Sequence, residues 1–180
     1  MIKYDCIFFD RDGTLNFDPG YISKLKHFKF FDFAIEAMIL LGNVSDKFII
    51  ITNQSGVSRG LIDEVDLCEI NDFIMRELTK RNIPLVGIYY CTDHPDFASD
   101  RRKPGVGMFL EASKDFDLNL SNCLMIGDSI SDIESAIKLQ MDSMLVLTGN
   151  GERDKHHLVD SKHPKYIAKN ILVGAELLNK

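Results

Sequence analysis

Two aspartates, Asp10 and Asp12, come directly after the apolar residues 6–9. A short, continuously apolar run is typical of a strand buried in a parallel sheet, and open α/β sheets hold their chemistry at the carboxyl ends of such strands. Because alternate residues of an extended chain point to the same side, both carboxylates are expected to face one point. There, one carboxylate can act as a nucleophile while the other donates and later accepts a proton.

Three later polar segments, at residues 52–54, 102–104 and 127–132, are also expected at the ends of strands. The Thr52 hydroxyl and the backbone amide of Asn53 would donate hydrogen bonds to an anion, and Lys103 would add a positive charge. Arg102 is suited to a bidentate contact with further substrate oxygens. Donors and a cation of this kind are what a transferring phosphoryl group requires.

Asp128 adds a carboxylate directly after the apolar residues 123–126. If Asp10 and Asp128 converge to about 5 Å at an effective dielectric near 20, their repulsion costs roughly 3 kcal/mol. A divalent cation removes that cost, and oxygen ligands beside a phosphate favour Mg²⁺. We therefore expect Mg²⁺ as the cofactor.

In this order, the four segments match the four motifs of the haloacid dehalogenase (HAD) superfamily, so the chain resembles its aspartate-nucleophile phosphohydrolases. The resemblance implies that Asp10 is the nucleophile and Asp12 the general acid and base. It implies that Thr52 and Lys103 complete the catalytic group by binding the phosphoryl oxygens. It also implies that the side chains of Asp10 and Asp128 and the backbone carbonyl of Asp12 hold the metal.

Within the superfamily, residues 10–136 resemble the D-glycero-D-manno-heptose 1,7-bisphosphate 7-phosphatases most closely. The matching segments are 10–16, 20–21, 52–60, 89–91, 94–95 and 102–104. This resemblance implies Mg²⁺-dependent hydrolysis of the 7-phosphate through an aspartyl-phosphate, in the biosynthesis of nucleotide-heptose precursors. It also implies a substrate pocket made of Asp18, Pro19, Gly20, Tyr21, Thr52, Asn53, Gln54, Ser55, Arg102 and Lys103.

The same residues leave three alternatives open. Phosphatases of histidinol phosphate or of other small metabolites share the aspartate pair, but the histidinol-phosphate enzymes resemble this chain less around residues 53–60. A phospho-accepting receiver domain also uses Mg²⁺ and a phosphorylated aspartate, but it has no acid and base at the position of Asp12. An inactive binding protein is disfavoured because the acidic and basic groups that hydrolysis needs are all present.

The chain departs from its relatives in a loop that in many of them binds structural zinc through one histidine and three cysteines. Cys91 is present, but Asp93 stands at the histidine position, and Ser99 and Arg101 stand at the other two cysteine positions. One thiolate does not make a closed tetrahedral site, so we predict that the protein binds no zinc. A second departure is Ser129, where relatives often carry lysine.

Alternating apolar strands and amphipathic helices predict a doubly wound, Rossmann-like parallel sheet of the HAD type. The expected strands are 4–9, 48–52, 86–90, 123–126 and 143–147, and the expected helices are 33–41, 63–82, 108–116, 132–138 and 171–178. The intervals 12–52 and 52–103 are too short for a separate cap domain. The polar residues 149–163 are expected to form an exposed loop or a short irregular helix.

The 180 residues are expected to form a single domain over 1–180, which would bury roughly 70% of the surface of the unfolded chain. The net charge of −6 disfavours nucleic acid as a partner. No segment has the pattern of a signal peptide or the length to cross a membrane. We expect a cytoplasmic monomer whose partner is a small sugar phosphate and whose four cysteines stay reduced.

Overall fold

The computed structural model describes residues 4–159 and 163–180, in which six strands form one parallel sheet. The strands are β1 (Cys6–Phe9), β2 (Phe48–Asn53), β3 (Leu85–Cys91), β4 (Cys123–Gly127), β5 (Asp142–Val146) and β6 (Tyr166–Ala168). Their order is β3-β2-β1-β4-β5-β6. The winding direction therefore reverses between β1 and β4, and sheets of this kind bind ligands beyond such a reversal.

In the described part of the chain, six α-helices connect and cover the strands. They are α1 (Ala34–Leu41), α2 (Glu64–Thr79), α3 (Gly107–Phe116), α4 (Ile130–Lys138), α5 (Gly151–Asp154) and α6 (Ile171–Leu178). The helix α2 follows Asp63, which is extended. Its buried apolar side chains, Leu67, Ile70, Ile74 and Leu78, recur every three or four residues. No described helix is both long and apolar enough to cross a lipid bilayer.

The prediction of a doubly wound α/β fold is confirmed, and the five expected strands are present with ends shifted by at most two residues. The sixth strand, β6, was not predicted, because three residues are too few to show a period. Residues 149–163 contain the short helix α5, and residues 160–162 of that segment lie outside the described part. Within the described residues, the β1–β2 and β2–β3 connections carry α1 and α2 and no separate cap domain.

The two faces of the sheet are both covered by apolar side chains. Ile7 and Phe9 pack on the face that holds α1, α2 and α6, whereas Phe8 packs on the face that holds α3. Each of these side chains is fully buried, and burial of one such side chain contributes roughly 1.5–3 kcal/mol. A shift of β1 by one residue would exchange the two faces, so packing holds its end at Phe9 in register.

The register places the predicted acidic residues side by side. Phe9 of β1 pairs with Ile126 of β4, and the amide of Asp10 donates to the carbonyl of Ile126 at 2.9 Å. Asp128 leaves β4 two residues after Ile126. The carboxylates that follow β1 and β4 therefore flank the point where the winding direction reverses.

Candidate active site

Lys103 is buried at the centre of the site, with 4% of its surface exposed. Its ammonium donates to Asp10 Oδ1 at 2.8 Å, to Asp132 Oδ1 at 2.6 Å and to the carbonyl of Ile51 at 2.7 Å. Burial by itself lowers the pKa of Lys103, but the two carboxylates outweigh burial and hold this pKa above its ordinary value. All three ammonium hydrogens thus have acceptors, and the lysine stays charged.

Three carboxylates converge beside this lysine. Oxygens of Asp10, Asp128 and Asp132 all lie within 4.8 Å of one another. Burial raises the pKa of Asp10 to about 6, against the opposing effect of Lys103. Burial, with the like charges of Asp10 and Asp132 adding to it, raises the pKa of Asp128 to about 8. The carboxylates repel one another when they are charged, and a bound cation would remove this repulsion.

The donor set fits Mg²⁺, because every candidate ligand is a hard oxygen. Asp132 gives one oxygen to Lys103 and the other to the amide and hydroxyl of Ser129, at 3.1 and 2.7 Å. Among the described residues, Oδ2 of Asp10 and Oδ1 of Asp128 accept no hydrogen bond. The side chains of Asp10 and Asp128 are therefore the ones free to hold the ion, and Asp132 supports Lys103.

Asp12 is held by donors from three residues. Its Oδ1 accepts from Arg11 Nε at 3.1 Å and from Asn16 Nδ2 at 2.9 Å, and its Oδ2 accepts from Arg11 and from Gln54 Nε2 at 2.8 and 2.7 Å. Burial raises the pKa of Asp12, but the Arg11 charge and these hydrogen bonds outweigh burial and bring it below its ordinary value. Asp12 is therefore a carboxylate in the free protein.

Gln54 connects Asp12 to the expected phosphate-binding residue Thr52. The amide of Gln54 also donates to Thr52 Oγ1 at 2.9 Å. Since this hydroxyl oxygen accepts from Gln54, its own hydrogen is left to donate to an anion in the cleft. The sequence predicts the Thr52 donor, but not the amide that orients it.

The segment after β5 closes the metal end of the site. Asn150 donates to Asp128 Oδ2 through its backbone amide at 2.7 Å and through its side chain at 3.2 Å. Thr148 Oγ1 donates to the carbonyl of Gly13 at 2.6 Å, and Asp154 accepts from the amide of Ile130 at 3.0 Å. These residues were missed, because Gly-Asn-Gly at 149–151 signals a turn and nothing more.

The groups above open into a cleft of about 160 Å³. Its lining comprises Asp10, Asp12, Asp18, Gly20, Tyr21, Ile22, Thr52, Asn53, Gln54, Ser55, Gly56, Ile62, Asp128, Ser129 and Asn150. One wall is made by Tyr21 and Ile62 packing over Gly56, where a Cβ atom would lie 2.9 Å from the tyrosine ring and 2.6 Å from the isoleucine. The close fit of these side chains needs a glycine between them.

Most of the predicted site residues line this one cleft, but three do not. Lys103 is absent from the cleft lining and donates a hydrogen bond to Asp10, which does line the cleft. Pro19 and Arg102 are absent from the lining, and Arg102 Nη1 donates to the carbonyl of Asp93 at 3.3 Å. Pro19 and Arg102 therefore lie outside the cleft lining, and the substrate contacts of all the site residues are predictions.

Hydrogen bonds organise the loop in which relatives often carry zinc ligands. Asp93 Oδ2 accepts from the amide and the hydroxyl of Ser99, at 2.8 and 2.6 Å. Arg101 forms an ion pair with Glu111 and donates to the carbonyl of Tyr90 at 3.0 Å. The side chains at three of the four zinc-ligand positions, Asp93, Ser99 and Arg101, are thus engaged in hydrogen bonds or an ion pair within the chain.

Comparisons with known proteins agree with this geometry. The model of the HAD-hydrolase-like family matches residues 100–173. The D-glycero-β-D-manno-heptose-1,7-bisphosphate 7-phosphatase of Photorhabdus laumondii is 37% identical over 151 residues, covering 79% of this chain and 80% of that protein. The Haemophilus influenzae protein of the same name is 34% identical over 167 residues, with coverages of 86% and 91%.

A solved structure extends the similarity to the whole fold. The D,D-heptose 1,7-bisphosphate phosphatase of B. bronchiseptica, crystallised with magnesium and phosphate, superposes with a TM-score of 0.86 at 28% identity. The alignment covers 97% of each chain. Within the HAD-like hydrolases, this chain belongs to the family of the D-glycero-D-manno-heptose 1,7-bisphosphate 7-phosphatases.

Proposed function

We propose that the protein removes the 7-phosphate of D-glycero-β-D-manno-heptose 1,7-bisphosphate through an aspartyl-phosphate intermediate. The observation that carries this proposal is the placement of Asp10 and Asp12 in one cleft, with Lys103 bonded to the first and Arg11 to the second. The similarity to phosphatases of this name supports the substrate, and their names specify the β anomer.

In the first step, an oxygen of Asp10 attacks the phosphorus, and the bond from phosphorus to the sugar O7 breaks. Asp12 gives its proton to O7, so the sugar leaves as an alcohol. For this step the carboxylate of Asp12 must first take up a proton. Thr52 would donate to a phosphoryl oxygen, and the positive charge of the nearby Lys103 would offset the negative charge of the phosphoryl group.

In the second step, Asp12 takes a proton from a water molecule, whose oxygen attacks the same phosphorus. The bond from phosphorus to Asp10 then breaks, which releases inorganic phosphate and restores both carboxyl groups. The side chains of Asp10 and Asp128, with the backbone carbonyl of Asp12, would hold Mg²⁺. When bound, this ion offsets the negative charge of the phosphoryl group.

The test is Mg²⁺-dependent phosphate release from the α and β anomers of heptose 1,7-bisphosphate, with histidinol phosphate beside them. We expect the β anomer to have the highest kcat/KM. Asp10→Asn should lose both turnover and the phosphoenzyme while keeping the wild-type fold. Activity on neither anomer would refute heptose 1,7-bisphosphate as the substrate. Turnover of histidinol phosphate would then identify the protein as a histidinol-phosphate phosphatase.

A substitution of Arg102 tests whether the protein recognises parts of the substrate other than the transferred phosphate. We propose that the guanidinium of Arg102 binds distal oxygens of the sugar bisphosphate. Arg102→Ala should then lower kcat/KM for heptose 1,7-bisphosphate more than for a phosphate ester that has no second anionic group. Equal losses for both esters would show that Arg102 does not recognise the sugar bisphosphate.

We further propose that the protein works as a monomer in the cytoplasm. All four cysteines are free and three of them are buried, which is the usual state in a reducing compartment. Light scattering of the purified protein at several concentrations tests the monomer, and a mass that rises to that of a dimer would contradict it.

A further inference from the structure

Arg11 has one of the most deeply buried side chains of the molecule, with 1% of its surface exposed. A buried guanidinium is stable only if its charge and its donors are matched. Arg11 meets this need with a two-pronged contact to Asp12, through Nε at 3.1 Å and Nη2 at 2.8 Å. This fork fixes the plane of the carboxylate as well as its position.

The far side of the same guanidinium is anchored by Asn71. Arg11 Nη1 donates to Asn71 Oδ1 at 3.3 Å across 60 residues of sequence. Asn71 lies on α2, and the other residues that this helix buries are Leu67, Ile70, Ile74 and Leu78. A polar side chain on an otherwise apolar face is unfavourable unless it has a partner. Arg11 is that partner.

The contacts thus run from α2 through Asn71 and Arg11 to Asp12. We propose that Asn71 is a positioning residue, which acts through Arg11 to hold Asp12 in the orientation that protonates the leaving oxygen. This inference rests on the proposed reaction, in which Asp12 is the acid. A shift of about 1 Å in such a group can cost roughly 100-fold in rate.

Substrates with different leaving groups distinguish a misplaced general acid from a general loss of active-site structure. A sugar alkoxide is a poor leaving group and needs a proton from Asp12, whereas the nitrophenolate of p-nitrophenyl phosphate leaves without one. The ratio kcat/KM reports the steps up to departure of the leaving group. We therefore expect Asn71→Leu to lower kcat/KM for heptose 1,7-bisphosphate by about 10- to 100-fold. The value for p-nitrophenyl phosphate should stay close to that of the wild type.

Two variants on the same helix serve as controls. Asn71→Asp keeps an acceptor oxygen facing Arg11, and it should restore most of the activity on the sugar phosphate. Ile74→Val removes a buried methyl group of α2 that cannot hydrogen-bond to Arg11, and it should leave the ratio between the two substrates unchanged. If Asn71→Leu does not fold, Arg11→Lys, which loses the fork and the contact to Asn71, replaces it.

Parallel losses for both substrates, no loss, or an equal loss in Asn71→Asp would each overturn the proposal. Failure of the proposed function shows separately, because the wild type would then not hydrolyse heptose 1,7-bisphosphate. In that event the comparison uses the alkyl phosphate that the wild type hydrolyses fastest. The inference on Asn71 is then confirmed or refuted with that ester.

Discussion

Lys103 Nζ lies 2.8 Å from Asp10 Oδ1, although the two residues are 93 positions apart in the sequence. The same ammonium bonds Asp132 and the carbonyl of Ile51, one residue before Thr52. A single cation therefore orients Asp10, links it to β2 and to the first turn of α4, and neutralises part of the acidic cluster. This arrangement predicts two separate effects of removing its charge.

Lys103→Met should lower kcat/KM by about 100- to 1,000-fold, because the phosphoryl oxygens lose a fixed cation. It should also lower the melting temperature of the metal-free protein, since Asp10 and Asp132 are then buried without their partner. Phosphate release and thermal unfolding measure the two effects. Lys138→Met is the control, because Lys138 is an exposed lysine that donates to the nearby carbonyl of Pro104. Similar activity losses in both variants would contradict this role of Lys103.

Gly149→Ala should weaken Mg²⁺ binding. Gly149 has a φ of +52°, and a Cβ atom there would lie 2.1 Å from Asp128 Oδ2. The carboxylate must move away, and a change in the residues that orient a metal ligand typically costs about 10- to 100-fold in affinity, so a loss of this size is expected if Asp128 holds the ion. Titration of the purified variant with Mg²⁺ by calorimetry measures the loss.

Gly60→Ala is the matched control for that experiment. Gly60 also has a positive φ, +69°, but a Cβ atom added there would meet no described atom within 4 Å. Both substitutions strain the backbone, yet only the one at Gly149 presses on Asp128. Equal Mg²⁺ affinities in the two variants would show that crowding of Asp128 has no effect.

The metal-free protein should lose stability as the pH rises. The pKa values of Asp10 and Asp128, about 6 and 8, lie above the value of roughly 3.9 for an unfolded aspartate. A group whose pKa is raised by folding stabilises the fold fully below its unfolded pKa, and this contribution is lost as the pH rises through its folded pKa. The melting temperature in EDTA should therefore fall between about pH 4 and pH 8.

Mg²⁺ should oppose that fall, because it neutralises the two carboxylates that become charged. The stabilisation by Mg²⁺ is then largest at the alkaline end of the range. Asp128→Asn should show a smaller fall in EDTA than the wild type. A melting temperature in EDTA that stays level or rises with pH would contradict the prediction.

Purified protein should contain no stoichiometric zinc, as elemental analysis can establish. Asp93 already accepts two hydrogen bonds from Ser99, which hold its pKa below the ordinary value. Asp93→Ala should therefore loosen the loop at residues 92–106 and speed its cleavage by protease. Asp96→Ala, at an exposed site in the same loop, is the control. One zinc ion per chain would refute the prediction.

The sequence was a good guide wherever a residue's role follows from its immediate neighbours. An apolar run followed by Asp10 and Asp12 predicted a strand end with two carboxylates, and the structure has both in the cleft. The helix α2 was recognised from its apolar period, but the same period assigned no role to Asn71. The sixth strand escaped notice because three residues carry no period.

The sequence by itself determined which residue types stand at the ends of the strands, because local hydrophobic patterns specify where buried strands stop. Only the tertiary structure decided which groups hold those residues in place. Asn150 reaches Asp128 across 22 positions, and Asn71 reaches Arg11 across 60. Such partners are brought together by the packing of helices and loops on the sheet, and no local pattern relates them.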